Sequence, residues 1–249
     1  MIDEINELEQ QLKDIIKNNP YNADAHYNLS AFYAGQGNFE LTEQALKAAI
    51  KVDPRYTNAH YSLGVLYADQ GKLELAEKEF KTVIKASPND PFTHNNLGAV
   101  YEKQKKVKLA EQEYMTAIKV NPNHANAHSN LGVLLYKQGR INEAENAFKA
   151  SIKANPNANA YNNLGVLLYE HGRLNEAEKA YESALKIDPN DADFHHNLQI
   201  LYRHQVKLAL AERDFQLANN KVNAPKDDGT FYTTSQLIDE DNPTHHNEI

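Results

Sequence analysis

Residues 57–90 read TNAHYSLGVLYADQGKLELAEKEFKTVIKASPND, and residues 91–124 read PFTHNNLGAVYEKQKKVKLAEQEYMTAIKVNPNH. Laid one above the other, they share a His, a Leu-Gly pair, a Tyr, an Ala, an aromatic residue and a Pro at the same offsets. The register extends in both directions. Pro20, Pro54, Pro88, Pro122 and Pro156 recur at steps of 34, and Pro189 follows after 33. Leu29, Leu63, Leu97, Leu131, Leu164 and Leu198 form one column. Gly64, Gly98, Gly132 and Gly165 form the next, with Ser30 and Gln199 at its ends. Ala76, Ala110, Ala144, Ala177 and Ala211 form a third, headed by Thr42. Phe80, Tyr114, Phe148, Tyr181 and Phe215 form a fourth, headed by Leu46. Such self-similarity overrides any fold reading based on length.

Each repeat carries two apolar stripes of helical period, interrupted by a glycine such as Gly71 and ended by proline. The glycine permits the left-handed backbone of a tight helix–helix turn. The Gly and Ala columns let the two helices approach closely, and the aromatic and aliphatic columns fill the space between neighbours. Asn22, Asp90 and Asp191 stand where they can cap the next helix.

A 34-residue helix-turn-helix with these columns resembles the tetratricopeptide repeat. The resemblance implies an all-α, right-handed superhelical α-solenoid of tandem helix-turn-helix repeats. It covers six repeats over 23–225: 23–56, 57–90, 91–124, 125–157, 158–191 and 192–225. Residues 1–22 carry Leu8, Leu12 and Ile15 in the register of a second helix and read as an N-terminal capping half-repeat. Residues 226–249 form an acidic tail expected to be flexible, with six carboxylates against Lys226. Within it, 230–238 (TFYTTSQLI) is apolar and strand-prone, and is expected to lie along a groove or on the C-terminal repeat. The last repeat degrades. Asn219 and Lys221 stand where earlier repeats hold aliphatic residues, as suits a terminal repeat with no follower. Gln199 in the glycine column and Val206 in the turn-glycine column point to distorted helix pairing there, since a β-branched residue resists positive φ.

The composition limits the function. The net charge is −8, against a nucleic-acid partner. No apolar run reaches the length of a membrane span, and the acidic start of the chain is not a secretory signal. The absence of cysteine removes disulfides, thiol nucleophiles and thiolate zinc sites, and fits a cytoplasmic, reducing compartment. No catalytic motif is present, so no enzyme activity and no cofactor are expected. The many carboxylates, such as Glu74, Glu77 and Glu79 beside Lys78, read as solvated helix faces. His26, His60, His94, His128 and His195, with Tyr161 the exception, occupy the family's first aromatic column and read as flat packing residues. Equivalent positions of neighbouring repeats lie about 10 Å apart, too far to share a metal ion. His245 and His246 in the tail could bind metal weakly.

In this family the first helix of each repeat lines the concave surface. Before each column leucine stand Asn28, Ser62, Asn96, Asn130, Asn163 and Asn197. This is similar to the asparagine ladder of O-linked N-acetylglucosamine transferases, which implies amides holding the backbone of an extended peptide. A carboxamide offers donor and acceptor together; the alternative is that these amides satisfy neighbouring helices. Tyr27, Tyr61, Val65, Val133, Val166, Tyr136 and Tyr169 flank the ladder and make a polar, aromatic groove that is nearly uncharged at its centre. Tyr136 and Tyr169 also suit ordinary helix packing. A related subfamily clamps a partner's acidic C-terminus with cationic groove residues. The matching positions here hold Tyr27, Ala31, Ser62, Phe92 and Asn96, so that clamp is not expected. The expected function is a non-enzymatic scaffold binding an extended peptide or helix of a protein partner. The alternative is a regulatory or substrate-recruiting subunit of an enzyme, of glycosyltransferase type, whose catalytic part is on another chain. Self-association through the last repeat or the tail is a third reading.

Overall fold

The computed structural model describes the backbone of residues 2–222 and the side chains of residues 7–216. The stretch 230–238, His245, His246 and the side chains of Asn219 and Lys221 lie outside them. The chain divides into two parts, Met1–Leu201 and Tyr202–Ile249. Among the described residues there are helices and no strands. Helix α1 (Ile2–Asn18) precedes five helix pairs: α2 (Ala23–Gly35) with α3 (Phe39–Val52), α4 (Thr57–Asp69) with α5 (Leu73–Ala86), α6 (Pro91–Lys103) with α7 (Val107–Val120), α8 (Ala125–Lys137) with α9 (Ile141–Ala154), and α10 (Ala158–Glu170) with α11 (Leu174–Ile187). Helix α12 (Ala192–Val222) ends the described chain. The first part is an α-solenoid in which each pair packs on its neighbours in the chain.

Within each pair the fit is set by one contact. A Cβ placed on Gly64 would lie 2.7 Å from the Phe80 ring, and the same holds for Gly98 on Tyr114 at 2.7 Å, Gly132 on Phe148 at 2.6 Å and Gly165 on Tyr181 at 2.6 Å. All four rings are buried. The first repeat has a larger residue on one side and a smaller one on the other, with buried Ser30 in the glycine column and buried Leu46 in the aromatic column.

The turns are equally regular. Gly37, Gly71, Gly139 and Gly172 have φ between 70° and 75°, and Lys105 holds the same place at φ 62°. In all five turns the next backbone N–H closes onto a carbonyl five residues earlier, as Lys72 does to Tyr67 at 2.8 Å and Lys106 to Tyr101 at 2.8 Å. The sixth repeat departs from the expected helix pair. Residues 192–222 form the continuous α12, with no turn at Val206. The β-branched Val206 disfavours the positive φ that the other turns adopt, and Gln199 fills the glycine column. Phe215, in the aromatic column, is 66% exposed, whereas its four equivalents are at most 2% exposed.

Three sets of polar contacts recur with the period of the repeat, and each gives a role to residues that read as packing or solvated in sequence. His26, His60, His94, His128 and His195 donate through Nε2 to the carbonyls of Pro20, Pro54, Pro88, Pro122 and Pro189, at 2.8–3.2 Å. The column therefore anchors the inter-repeat linker. The fifth repeat, whose linker is one residue shorter, has Tyr161 instead. His60 and His94 also place Nδ1 2.6 Å from Glu79 and Glu113 on the second helix of the same repeat. A third set crosses repeat boundaries. Glu43 accepts from Tyr67 and pairs with Lys72, Glu77 pairs with Lys106, Glu111 with Arg140 and Glu145 with Arg173. Glu9 of α1 lies one period before Glu43 and accepts from Tyr33 at 2.9 Å. Helix α1 otherwise packs through Leu12 and Ile16. Leu8 and Ile15, which share the expected register with Leu12, are exposed, whereas Leu12 is buried.

Two predictions follow from these contacts. Changing Gly132 to Ala removes a helix-interior glycine, worth about 1 kcal/mol of stabilisation. It also drives a methyl into the Phe148 ring, and overpacking costs about 1–3 kcal/mol. The expected net effect is a lower urea midpoint, with Phe148→Leu recovering part of the loss in the double variant; equal or greater stability of Gly132→Ala would show that the ring does not set the helix spacing. The second concerns acid. Burial pushes the Glu77 carboxyl up, but bonds from Lys81 at 2.6 Å and Lys106 at 2.9 Å outweigh it and hold it at about 2, below its ordinary 4.5. A depressed carboxylate stabilises the fold above its unfolded value and loses that contribution as pH falls through the folded value. The stability gap between wild type and Glu77→Gln should therefore shrink as pH drops from 4.5 towards 2. A gap constant with pH would refute the linkage.

Candidate peptide-binding groove

First helices of successive repeats approach one another, α4 to α6, α6 to α8 and α8 to α10, and the second helices make no comparable approach. The stack therefore bends with its first helices on the inner side. The expected groove residues lie on these helices. Tyr27, Tyr61, Val65, Asn96, Asn130, Val133, Tyr136, Asn163, Val166, Tyr169 and Asn197 are half-buried, and Asn28 is exposed.

The amides are partly engaged with one another. Asn96 donates through Nδ2 to Tyr61 Oη at 2.9 Å, Asn130 to Asn95 Oδ1 at 3.0 Å and Asn197 to Asn162 Oδ1 at 2.9 Å. Each bond joins a ladder position to the residue before the ladder in the preceding repeat. Of the two readings open in the sequence, cross-repeat satisfaction is thus present for these three. It uses one of the two N–H groups of each amide, and the carbonyls of Asn130 and Asn197 accept no bond among the described residues. The tyrosines are also held from within. Tyr27 meets Tyr56 edge-on with centroids 5.5 Å apart, and Tyr61 meets Phe80 at 6.0 Å. Tyr136 donates to Glu170 of the next repeat. Burial, then that carboxylate, pushes its hydroxyl up to about 12.

Two hollows open on the inner face. One of about 140 Å³ is lined by Val65, Ala68, Asp69, Asn96, Ala99 and Lys103, among others. The second, of about 500 Å³, is lined by Ala99, Glu102, Lys103, Lys105, Val107, Tyr114, Asn130, Leu134, Lys137 and Gln138. Ala99 and Lys103 belong to both, so the two are contiguous. They bring together Val65, Asn96 and Asn130 of the expected site; its other residues line neither.

The charge differs from the expected neutral centre. Glu102 accepts from Tyr114 at 3.1 Å and pairs with Lys137 at 2.7 Å. Burial, then Glu102, pushes the Tyr114 hydroxyl well up. Lys103, Lys105 and Lys137 were missed in sequence because they sit at the end of a first helix or in its turn. There a lysine reads as a surface charge favoured by the helix dipole. The one available signal was Lys105 standing in the turn-glycine column.

Known proteins match this architecture. A family model described as tetratricopeptide repeat matches residues 33–91 and 130–192, and a second of the same description matches 90–157. No curated protein matches. Among solved structures, YrrB, described as a TPR protein with an unusual peptide-binding site, is 23% identical with a TM-score of 0.58, over 74% of this chain and 96% of its own. PilF of Pseudomonas aeruginosa is 22% identical with a TM-score of 0.66, over 81% and 91%. The APC/C hetero-tetramer Cut9–Hcn1 is 18% identical with a TM-score of 0.67, over 80% of this chain and 40% of that one. These likenesses show the fold. Among the described residues no helix is long and apolar enough to cross a membrane.

The ladder geometry predicts unequal costs. Asn130→Ala loses a bond across a repeat boundary and should lower stability by about 0.5–1.5 kcal/mol. Asn163→Ala, with no such bond, should cost less. Urea unfolding of both variants decides it, and an equal or larger loss for Asn163→Ala would remove the amide bonds from the account of stacking.

Proposed function

The chain belongs to the tetratricopeptide-repeat family, and from that premise we propose that it is a non-enzymatic interaction module that holds an extended peptide or a helix of a partner protein along its inner face. Proteins of this family generally mediate protein–protein interactions. The observation that carries the reading is the pair of contiguous hollows running from Val65 to Lys137 beside ladder amides that keep bonding capacity unused. Ala99, Leu134 and Val65 supply apolar area. Asn96 and Asn130 supply a sequence-tolerant grip on a main chain, and Tyr61 stiffens the wall. An open groove with amides and aliphatic side chains suits capture of a chain rather than turnover of a small molecule. The peptide-binding description of YrrB supports the same use of the fold, and the cysteine-free sequence suits a reducing compartment such as the cytoplasm.

The test uses the full chain as bait beside a variant with Asn96, Asn130 and Asn163 changed to alanine, its helicity checked by circular dichroism. A segment identified in the captured protein is then titrated against both purified baits by calorimetry. The expected result is at least about tenfold weaker binding to the variant, the loss of one or two hydrogen bonds. Equal affinity for the two baits would place the partner elsewhere.

A further inference from the structure

Among the described residues, Lys105 is the sole non-glycine residue with positive φ. The four sister turns use glycine at this place. A lysine pays conformational strain there that the fold itself does not require. Lys105 lines the 500 Å³ hollow, with Lys103, two residues earlier at the end of α6, in the same wall. Neither lysine has an ion-pair partner among the described residues, whereas Lys106 of the same turn is bound to Glu77 at 2.9 Å and Lys137 to Glu102 at 2.7 Å. The carboxylates near the hollows are Glu102, already held by Lys137 and Tyr114, and Asp69 in the smaller neighbour. Two unpaired cations thus stand beside Asn130 and the apolar Ala99 and Leu134, in a protein of net charge −8.

We propose that the hollow between α6 and α8 is a subsite for an acidic side chain of the bound segment, with Lys105 and Lys103 as its cationic readers and Asn130 gripping the adjacent main chain. This deepens the groove reading and rests on it. The occupant is an extended segment with a carboxylate next to an aliphatic residue. The aliphatic side chain lies on Ala99 and Leu134 while the carboxylate meets the lysines. The lysines stand on the turn side of the groove, away from the clamp positions held by Tyr27, Ala31, Ser62, Phe92 and Asn96.

The experiment is fluorescence anisotropy on the full chain with two short blocked peptides alternating valine with either glutamate or glutamine. Wild type should bind the glutamate peptide about tenfold more tightly, with the preference shrinking as salt rises. Lys105→Gly restores the residue of the sister turns, so it should fold, unfold at a higher temperature, and show a preference of no more than about twofold. Lys103→Gln should lower the preference while leaving the unfolding temperature near that of wild type. No preference in wild type, or an unchanged preference in Lys105→Gly, overturns the subsite. Asn96→Ala with Asn130→Ala separates this from the underlying reading. If both peptides bind wild type equally and both are lost in that variant, the groove stands and the acidic subsite falls. If the glutamate peptide is lost in Lys105→Gly and kept in the asparagine variant, the lysines bind without the amide grip, and the groove reading falls together with the subsite as proposed.

Discussion

A glycine on the first helix of a repeat lies against an aromatic ring on the second, so closely that a single methyl group would have to displace the ring. This contact fixes the spacing of each helix pair. The ring fills a space that only a residue without a side chain leaves open, and the second helix is thereby set at one distance and one rotation. Its other face then meets the first helix of the next repeat. The regular core, from Leu46 through Leu97 to Leu134 and on through Leu167 to Leu201, is the result of that repetition. Where the pair of residues changes, the geometry changes with it. Ser30 with Leu46 keeps the fit by trading volume. Gln199 with Phe215 does not, and there the helix runs on through Val206.

Apolar packing alone would allow neighbouring repeats to slide. Polar contacts pin the register. Histidine rings hold the linker carbonyls, glutamates on second helices reach the cation that follows the next turn, and ladder amides reach back along the inner face. The glutamate and amide contacts join residues about one period apart in sequence and the histidine bonds span six residues, so each extra repeat adds both a core layer and a set of clasps. What remains after this mutual satisfaction is the inner surface. There the amides retain unused capacity, and two lysines have no partner among the described residues.

Much of this was legible in the residues. The columns identified the two helices and the turn of each of the first five repeats, and the caps at Asn22, Asp90 and Asp191 all accept backbone N–H bonds in the structure. Of the positions expected around each leucine, Val65, Asn96 and Asn130 line the hollows. Other roles were not legible. Glu77 and Glu79 are separated by one residue from each other and by similar spacings from lysines, so both look solvated. In fact Glu77 crosses to the next repeat while Glu79 turns inward to His60. The histidines read as flat rings because their partner, a proline carbonyl, leaves no trace in side-chain identity.

The sequence by itself determined the period, the helical pairs, the place where pairing fails and the asparagines of the inner face, because each depends on short-range rules of helix period, turn conformation and side-chain volume. The tertiary structure decided which polar side chains join across repeats and which cations stand open to the groove. Those depend on which helices lie within hydrogen-bonding distance after stacking, and that distance is a product of the whole array rather than of any one repeat.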